Sequence, residues 1–231
     1  MILLADASQY QGQRINFKAM ADVGVRGVYI EAQRGNDGPN CYFAEQVASA
    51  KMAGLAVGAY LLAYPLIDDG IHRNRAPVDQ VHLFWEACDG LGNEDGSLPP
   101  MLDCEWPVYG EWAKWGVTAR QAASWYDSAL TAIDQQWRRR CGVYHDVEFW
   151  PHLGPYGQTP GFGSRALWLA QYTIDDVRIL PPGAPPPARA PWNKVTLWQY
   201  TRKFEVPGSG VIADCSLFLG DEDDWTLFLS K

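Results

Sequence analysis

Apolar residues in this chain gather into short continuous runs separated by amphipathic stretches. The runs are Ile2–Ser8, Gly27–Gln33, Ala56–Tyr64, Pro100–Trp106, Gly142–His145, Ala166–Tyr172, Thr196–Thr201 and Val211–Phe218. Most are apolar without alternation, as strands covered on both faces are. Between the early runs lie helices. Phe43, Val47 and Ala50 recur at helical spacing, and Gly54 follows as a stop. Thr118 and Gln121 form a capping box ahead of Ala122, Trp125, Ala129 and Ile133 on one face. Strand and helix in alternation predict an α/β fold with a parallel sheet, and eight strands in one domain predict closure into a barrel.

The second half is less regular. The proline-rich loop 180–191 cannot be helical, because its prolines lack amide donors and fix φ. The strands after it follow too closely for crossover helices, so the last three strands should lack proper helices. Residues 66–99 read as a long insertion carrying one helix, roughly Val78–Cys88, of a kind that often lines sites on barrels. Residues 1–231 are expected to form a single domain, a length sufficient for a compact barrel.

Charge and cysteine content narrow the function. The net charge is −8, and no basic run is longer than Arg138–Arg140, which argues against a nucleic-acid partner. Five cysteines, an odd count without a CxxC pair, suggest neither a disulfide framework nor a zinc site. Cys104, Cys141 and Cys215 lie in apolar runs and read as small buried hydrophobes. The N-terminus has no basic region and reaches Asp6 early, so it reads as neither a signal peptide nor a membrane anchor. The expectation is a monomer made in the cytoplasm. The 11 Trp and 11 Tyr read either as core filling or as flat platforms for sugar rings.

Acids mark the strand ends. Asp6 ends the first run, Asp103 and Glu105 end the fourth, and Asp214 lies in the last. Strands one and eight become neighbours on closure, which sets Asp6 beside Asp214. Asp103 and Glu105, two apart, share one face, while Cys104 points back under the helices. Four acids then converge at the barrel mouth. Buried carboxylates are costly unless paired, so they usually have a task. Clustered acids raise one another's pKa, and a protonated acid is what glycosidic cleavage requires. Other chemistries fit less well. Only His145 of four histidines sits at a strand end, and it reads as a hydrogen-bonded structural residue. No nucleophile elbow or phosphate-binding loop is present.

These residues carry a resemblance. Asp6-Ala-Ser-Gln-Tyr-Gln11-Gly12 with Ile15-Asn-Phe17 resembles the D-x-S-x-x-Q-G-x-I-x-W opening of family 25 glycoside hydrolases, the muramidase-type lysozymes. Gly58-Ala-Tyr60, Asp103-Cys-Glu105, Leu167-Trp-Leu-Ala-Gln171-Tyr172, Leu197-Trp198-Gln199-Tyr200 and Val211-Ile-Ala-Asp214 through Phe218 resemble that family's later motifs, in order. The resemblance implies a modified TIM-like (β/α) barrel with five β/α units and three further strands. It also implies cleavage of the β-1,4 bond from N-acetylmuramic acid to N-acetylglucosamine in bacterial peptidoglycan, without a cofactor or metal. Glu105 matches the proton donor, Asp103 the acid that steadies the substrate's acetamido group, and Asp6 and Asp214 the supporting acids. Tyr60, Tyr64, Trp106, Gln171, Tyr172 and Gln199 are the candidate substrate-binding residues.

Two departures stand out. Arg34 replaces a family acid, and Leu61 and Leu62 follow Tyr60 where His-Phe is usual. Both are expected at the pocket rim. Two alternatives remain open: a hydrolase of another N-acetylglucosamine polymer such as chitin, and a non-catalytic glycan-binding or virion protein on the same barrel. A wall substrate without a signal peptide suggests an endolysin released by a bacteriophage, a particle component or a protein exported by a non-Sec route.

Overall fold

Every side chain of β1 (Ile2–Ala7) is buried, and the alternation of a strand divides them between two environments. Ile2 and Leu4 join an apolar cluster with Tyr29, Met101, Trp168, Leu197, Phe218 and Trp225. Leu3, Ala5 and Ala7 join a larger one with Val28, Val57, Leu102 and Val143. The first fills the lumen of a barrel. The second lies between the barrel wall and its helices. Strands buried on both faces need apolar residues at every position, which is why the runs show no alternation.

The computed structural model describes the chain except residues 36, 66–75, 106–113, 115, 173–182, 207, 209–210 and 231. After β1 come α1 (Phe17–Asp22), β2 (Val25–Arg34), the short β3 (Gly38–Pro39), α2 (Phe43–Met52), β4 (Ala56–Leu62) and α3 (Pro77–Cys88). They continue with β5 (Met101–Asp103), α4 (Ala119–Trp137), β6 (Gly142–Asp146), a 3₁₀ segment over Trp150–Gly157 and α5 (Pro160–Gly163). Then follow β7 (Leu167–Ala170), β8 (Leu197–Glu205), β9 (Ile212–Phe218) and α6 (Glu222–Leu229). The sheet runs β1-β9-β8-β7-β6-β5-β4-β2-β3, and a β1–β2 pairing closes it. Without β3, eight strands form the barrel.

Seven of the eight are parallel, and β9 is antiparallel to both neighbours, β8 and β1. The few residues between Glu205 and Ile212 can close a hairpin but are too few for a parallel crossover. Asp214 therefore comes from the beginning of its strand, whereas Asp6 comes near the end of its own. The two are register partners. Five strand–helix units and three final strands match the expected layout. Residues 183–191 carry neither helix nor strand.

Several boundaries differ from the apolar runs. The fourth run narrows to three residues, Met101–Asp103, so Glu105 lies just beyond the strand. The helix in 66–99 is α3, the crossover from β4 to β5, and residues 66–75 lie outside the described residues. Cys104, Cys141 and Cys215 are buried as small apolar side chains. Leu61 is not at the rim. It is fully buried in the outer layer, and Leu62 is buried in register with Asp103.

The lumen has a closed end. Helix α6, capped by Asp221 accepting from the amides of Asp223 and Asp224, brings Trp225 and Phe228 against Phe218, with ring centroids 5.3 Å away in each case. Gly27 allows this approach, since a Cβ there would meet Leu4 and Trp225 at 3.2 Å. The acids occupy the other end.

Candidate active site

The same alternation that sends Ile2 and Leu4 into the lumen sends Asp6 there, one step nearer the mouth. Met101 is followed inward by Asp103, Leu197 by Gln199, and Phe218 is preceded by Ser216 and Asp214. Asp6, Tyr60, Asp103, Glu105, Tyr144, Trp168, Tyr172, Gln199 and Asp214 line one cavity of about 150 Å³. The structure thus brings the four acids together, three on strands β1, β5 and β9 and Glu105 just past the end of β5.

Gln199 organises one side. Its Nε2 donates to Asp6 Oδ2 at 2.9 Å and to Asp214 Oδ2 at 3.2 Å. Its Oε1 accepts from Tyr144 OH at 2.9 Å and Tyr172 OH at 3.1 Å. A side-chain amide has two donor hydrogens and two acceptor lone pairs, and all are used, so its orientation is fixed. Opposite, Asp103 Oδ1 is buried with no hydrogen-bond partner among the described residues.

Burial is the largest cause of the upward pKa shift at all four acids. Asp6 is pushed well up by burial and by Asp214, against the pull of the Gln199 bond. Asp103 is pushed well up by burial, Glu105, Glu31 and Asp6, with Arg34 acting the other way. Glu105 rises to about 7 through burial and the charge of Asp146, again eased by Arg34. Asp214 rises to about 6, eased by Arg202. Four carboxyls this close cannot all be ionised near neutral pH, and the protons they retain belong to the cluster.

At the rim, Arg34 pairs with buried Glu31 at 2.8 Å, donates to Tyr10 OH at 2.8 Å and lies over the Tyr10 ring. Tyr60 and Tyr172 line the cavity, and the Tyr60 ring stands nearly perpendicular to that of Trp168. Tyr64 does not. Its ring covers Gly35, whose missing Cβ would fall 2.2 Å from it. The Gln171 side chain is also outside the lining and exposed. Its carbonyl accepts from Trp198 Nε1, and its amide donates to the Gln199 carbonyl. Gln171 follows the inward Ala170, so alternation turns it away. Trp106 lies outside the described residues.

Sequence reasoning missed Tyr144 and Trp168. The signal was available, since Val143 and His145 share the outward face of β6 and so assign Tyr144 to the lumen. Trp168 bridges the acids and the apolar floor, donating from Nε1 to Ser216 Oγ at 3.0 Å. His145 is buried on the outer side of β6, with Nδ1 2.6 Å from the Asp146 carbonyl. Among the described residues, no group of three His, Cys, Asp or Glu is arranged to hold a metal ion.

Among solved structures, a bacterial lysozyme from Streptomyces coelicolor superposes with a TM-score of 0.81 at 21% identity, covering 99% of this chain and 96% of that one. A family 25 lysozyme from Aspergillus fumigatus gives 0.80 at 24% identity, covering 99% of each chain. The catalytic domain of an endolysin from a Listeria monocytogenes bacteriophage gives 0.67 at 17%, covering 100% and 98%. At these identities the likeness shows a shared fold. A search of curated proteins finds no match. The family model for Glycosyl hydrolases family 25 matches residues 5–209, a span that takes in Asp6, Asp103 and Glu105. With most of its length matched by that model, the chain belongs to glycosyl hydrolase family 25 and is a glycoside hydrolase.

Proposed function

We propose that the acid cluster cleaves the β-1,4 bond from N-acetylmuramic acid to N-acetylglucosamine in bacterial peptidoglycan, with Glu105 as proton donor and the substrate's own acetamido group as nucleophile. One observation carries the reading. Glu105, its carboxyl held at about 7, stands two residues from Asp103, whose Oδ1 is buried without a partner among the described residues. The names of similar structures, a muramidase from Trichobolus zukalii and a spore cortex lytic enzyme from Clostridium perfringens, agree with a wall substrate.

The chemistry follows from the placement. Glu105, protonated below about pH 7, gives its proton to the leaving oxygen as the glycosidic bond breaks. Asp103 and Glu105 have Cα atoms about 6.5–7 Å apart, from the rise of an extended chain. They approach a bound sugar from one side, and the acids across the cavity, Asp6 and Asp214, are tied to Gln199 rather than free to serve as a carboxylate nucleophile. An acetamido oxygen attacking its own anomeric carbon removes that need. Asp103 accepts the acetamido N–H and stabilises the positive charge that develops on the ring it closes. Water then attacks the anomeric carbon and gives its proton to Glu105, which restores the acid and retains configuration. Asp6 and Asp214, fixed by Gln199, keep the site negative toward that cation.

The test incubates the purified protein with isolated peptidoglycan and with chitin, and follows the first-formed anomer by NMR. The expected result is new reducing ends from peptidoglycan and a β-anomer. Release from chitin alone would move the substrate to another N-acetylglucosamine polymer. An α-anomer, or a glycosyl-enzyme trapped by mass spectrometry, would sink the mechanism.

A further inference from the structure

A second cavity lies on the far side of the barrel wall. Tyr144 and His145 are neighbours on β6 and so point to opposite faces. Tyr144 faces the acids, while His145 lines a separate cavity of about 260 Å³ between β6, β7, the 3₁₀ segment and the end of the proline-rich loop. Its walls include Trp150, Trp192, Leu167 and Leu169, all buried. Gly163 lets the loop settle, because a Cβ there would fall 2.2 Å from the Pro191 carbonyl oxygen. The charged side chain of the lining, Arg189, is exposed at the rim.

Two polar atoms in these walls are unaccounted for. His145 Nε2 and Trp192 Nε1 are buried with no hydrogen-bond partner among the described residues. The residues themselves are only 5% and 4% exposed. Leaving buried polar groups unmade is costly, and such orphans call for an explanation. Their chemistry is complementary. His145 Nδ1 sits 2.6 Å from the Asp146 carbonyl, which can only accept, so Nδ1 carries the hydrogen and Nε2 is left as an acceptor. Burial lowers the pKa of this ring to about 4 and keeps it neutral. The indole Nε1–H is a donor. The ring centroids are 5.2 Å apart, which makes the two groups neighbours in one wall.

We propose that this cavity is a binding site for a small uncharged molecule with an apolar, ring-sized body and one hydroxyl, which donates to His145 Nε2 and accepts from Trp192 Nε1. Size supports an organic ligand over a lone water. A cavity of about 150 Å³ takes benzene, and one water occupies roughly 30 Å³. The walls offer indole and leucine surface to an apolar body, the usual make-up of small-molecule sites with few polar anchors. The acid site is a different place with different chemistry, and this inference does not depend on its reading.

The experiment titrates the ¹⁵N-labelled full chain with 4-methylphenol and, separately, with toluene. Trp192→Phe assigns the Trp192 indole resonance. The expected result is a saturable shift of that resonance and of the His145 Nε2 nitrogen with 4-methylphenol, half-complete at a concentration on the order of 1 mM. Toluene should bind about tenfold more weakly for want of the hydroxyl bonds. Leu169→Phe, which fills part of the cavity, should weaken 4-methylphenol binding while the fold is retained. No saturable shift in the wild-type protein, meaning that the cavity holds only water, would overturn the proposal. So would toluene binding as tightly as 4-methylphenol.

Discussion

The floor and the mouth of the barrel are made by the same strands and differ in almost everything else. Along β1 the inward residues pass from Ile2 and Leu4 to Asp6. Along β5 they pass from Met101 to Asp103, and along β9 from Asp214 to Phe218. The floor is apolar, closed by Trp225 and Phe228 of α6, and its stability comes from surface removed from water. The mouth gathers four acids over that floor, and burial is the main reason their pKa values rise. The difference teaches a division of labour within one lumen. The floor stabilises the fold, and part of that stability is spent on carboxyls held in surroundings that disfavour their charge.

The comparison breaks most visibly at the floor. Phe218 is 5% exposed between Trp225 and Phe228, so Phe218→Ala should cost about 3–5 kcal/mol of stability. Denaturant unfolding reads this directly. A loss below about 1 kcal/mol would mean that α6 does not close the barrel as a packed floor.

Gln199 sharpens the comparison from the other side. Gln199→Leu removes the N–H groups that hold Asp6 and Asp214, and leaves the Tyr144 and Tyr172 hydroxyls without their acceptor. A hydrogen bond to a charged group contributes about 1.5–3 kcal/mol. Turnover should therefore fall about 10- to 100-fold, with the acidic limb of the rate profile moved to higher pH. Losing their donor makes both acids harder to ionise. An unchanged profile with unchanged turnover would show that Gln199 is packing alone.

A further effect concerns stability against pH. The Glu105 carboxyl is raised in the fold from an ordinary value of 4.5 to about 7. Between those values the unfolded chain loses this proton while the folded one keeps it, so wild-type stability falls as pH rises through the window. Glu105→Gln lacks this loss and should be more stable than wild type at pH 8 by about 3 kcal/mol. The two should converge near pH 4. Melting curves at both pH values decide it, and a variant less stable than wild type at pH 8 would contradict the burial account.

Much of this was legible in the sequence because period and chemistry coincide. The continuous runs announce two-sided strands, and acids at their ends announce a mouth. Asp6 and Asp214 could be paired in advance because closure makes β1 and β9 neighbours, although the hairpin that reverses β9 leaves only a short-loop signal. Helix α6 went unread despite its Asp221 cap, because its apolar residues serve the lumen rather than the outer layer. Tyr64 and Gln171 were expected at the pocket on proximity in sequence. Their true environments depend on Gly35 beneath one and the turn of the chain after Ala170 at the other, which are tertiary facts. The cavity behind His145 was beyond reach, since it needs the proline-rich loop folded back onto β6 and β7.

The central claim is that Glu105 is the acid of a glycosidase and that the rest of the mouth exists to keep it protonated and placed. The direct test is the release of reducing ends from isolated peptidoglycan by wild-type protein and Glu105→Gln, at a pH slightly below neutral, with melting followed in parallel. The account predicts a loss of about 10²- to 10⁴-fold in turnover with a melting temperature equal to or above that of wild type. A variant that melts normally and keeps more than a tenth of wild-type turnover would contradict it.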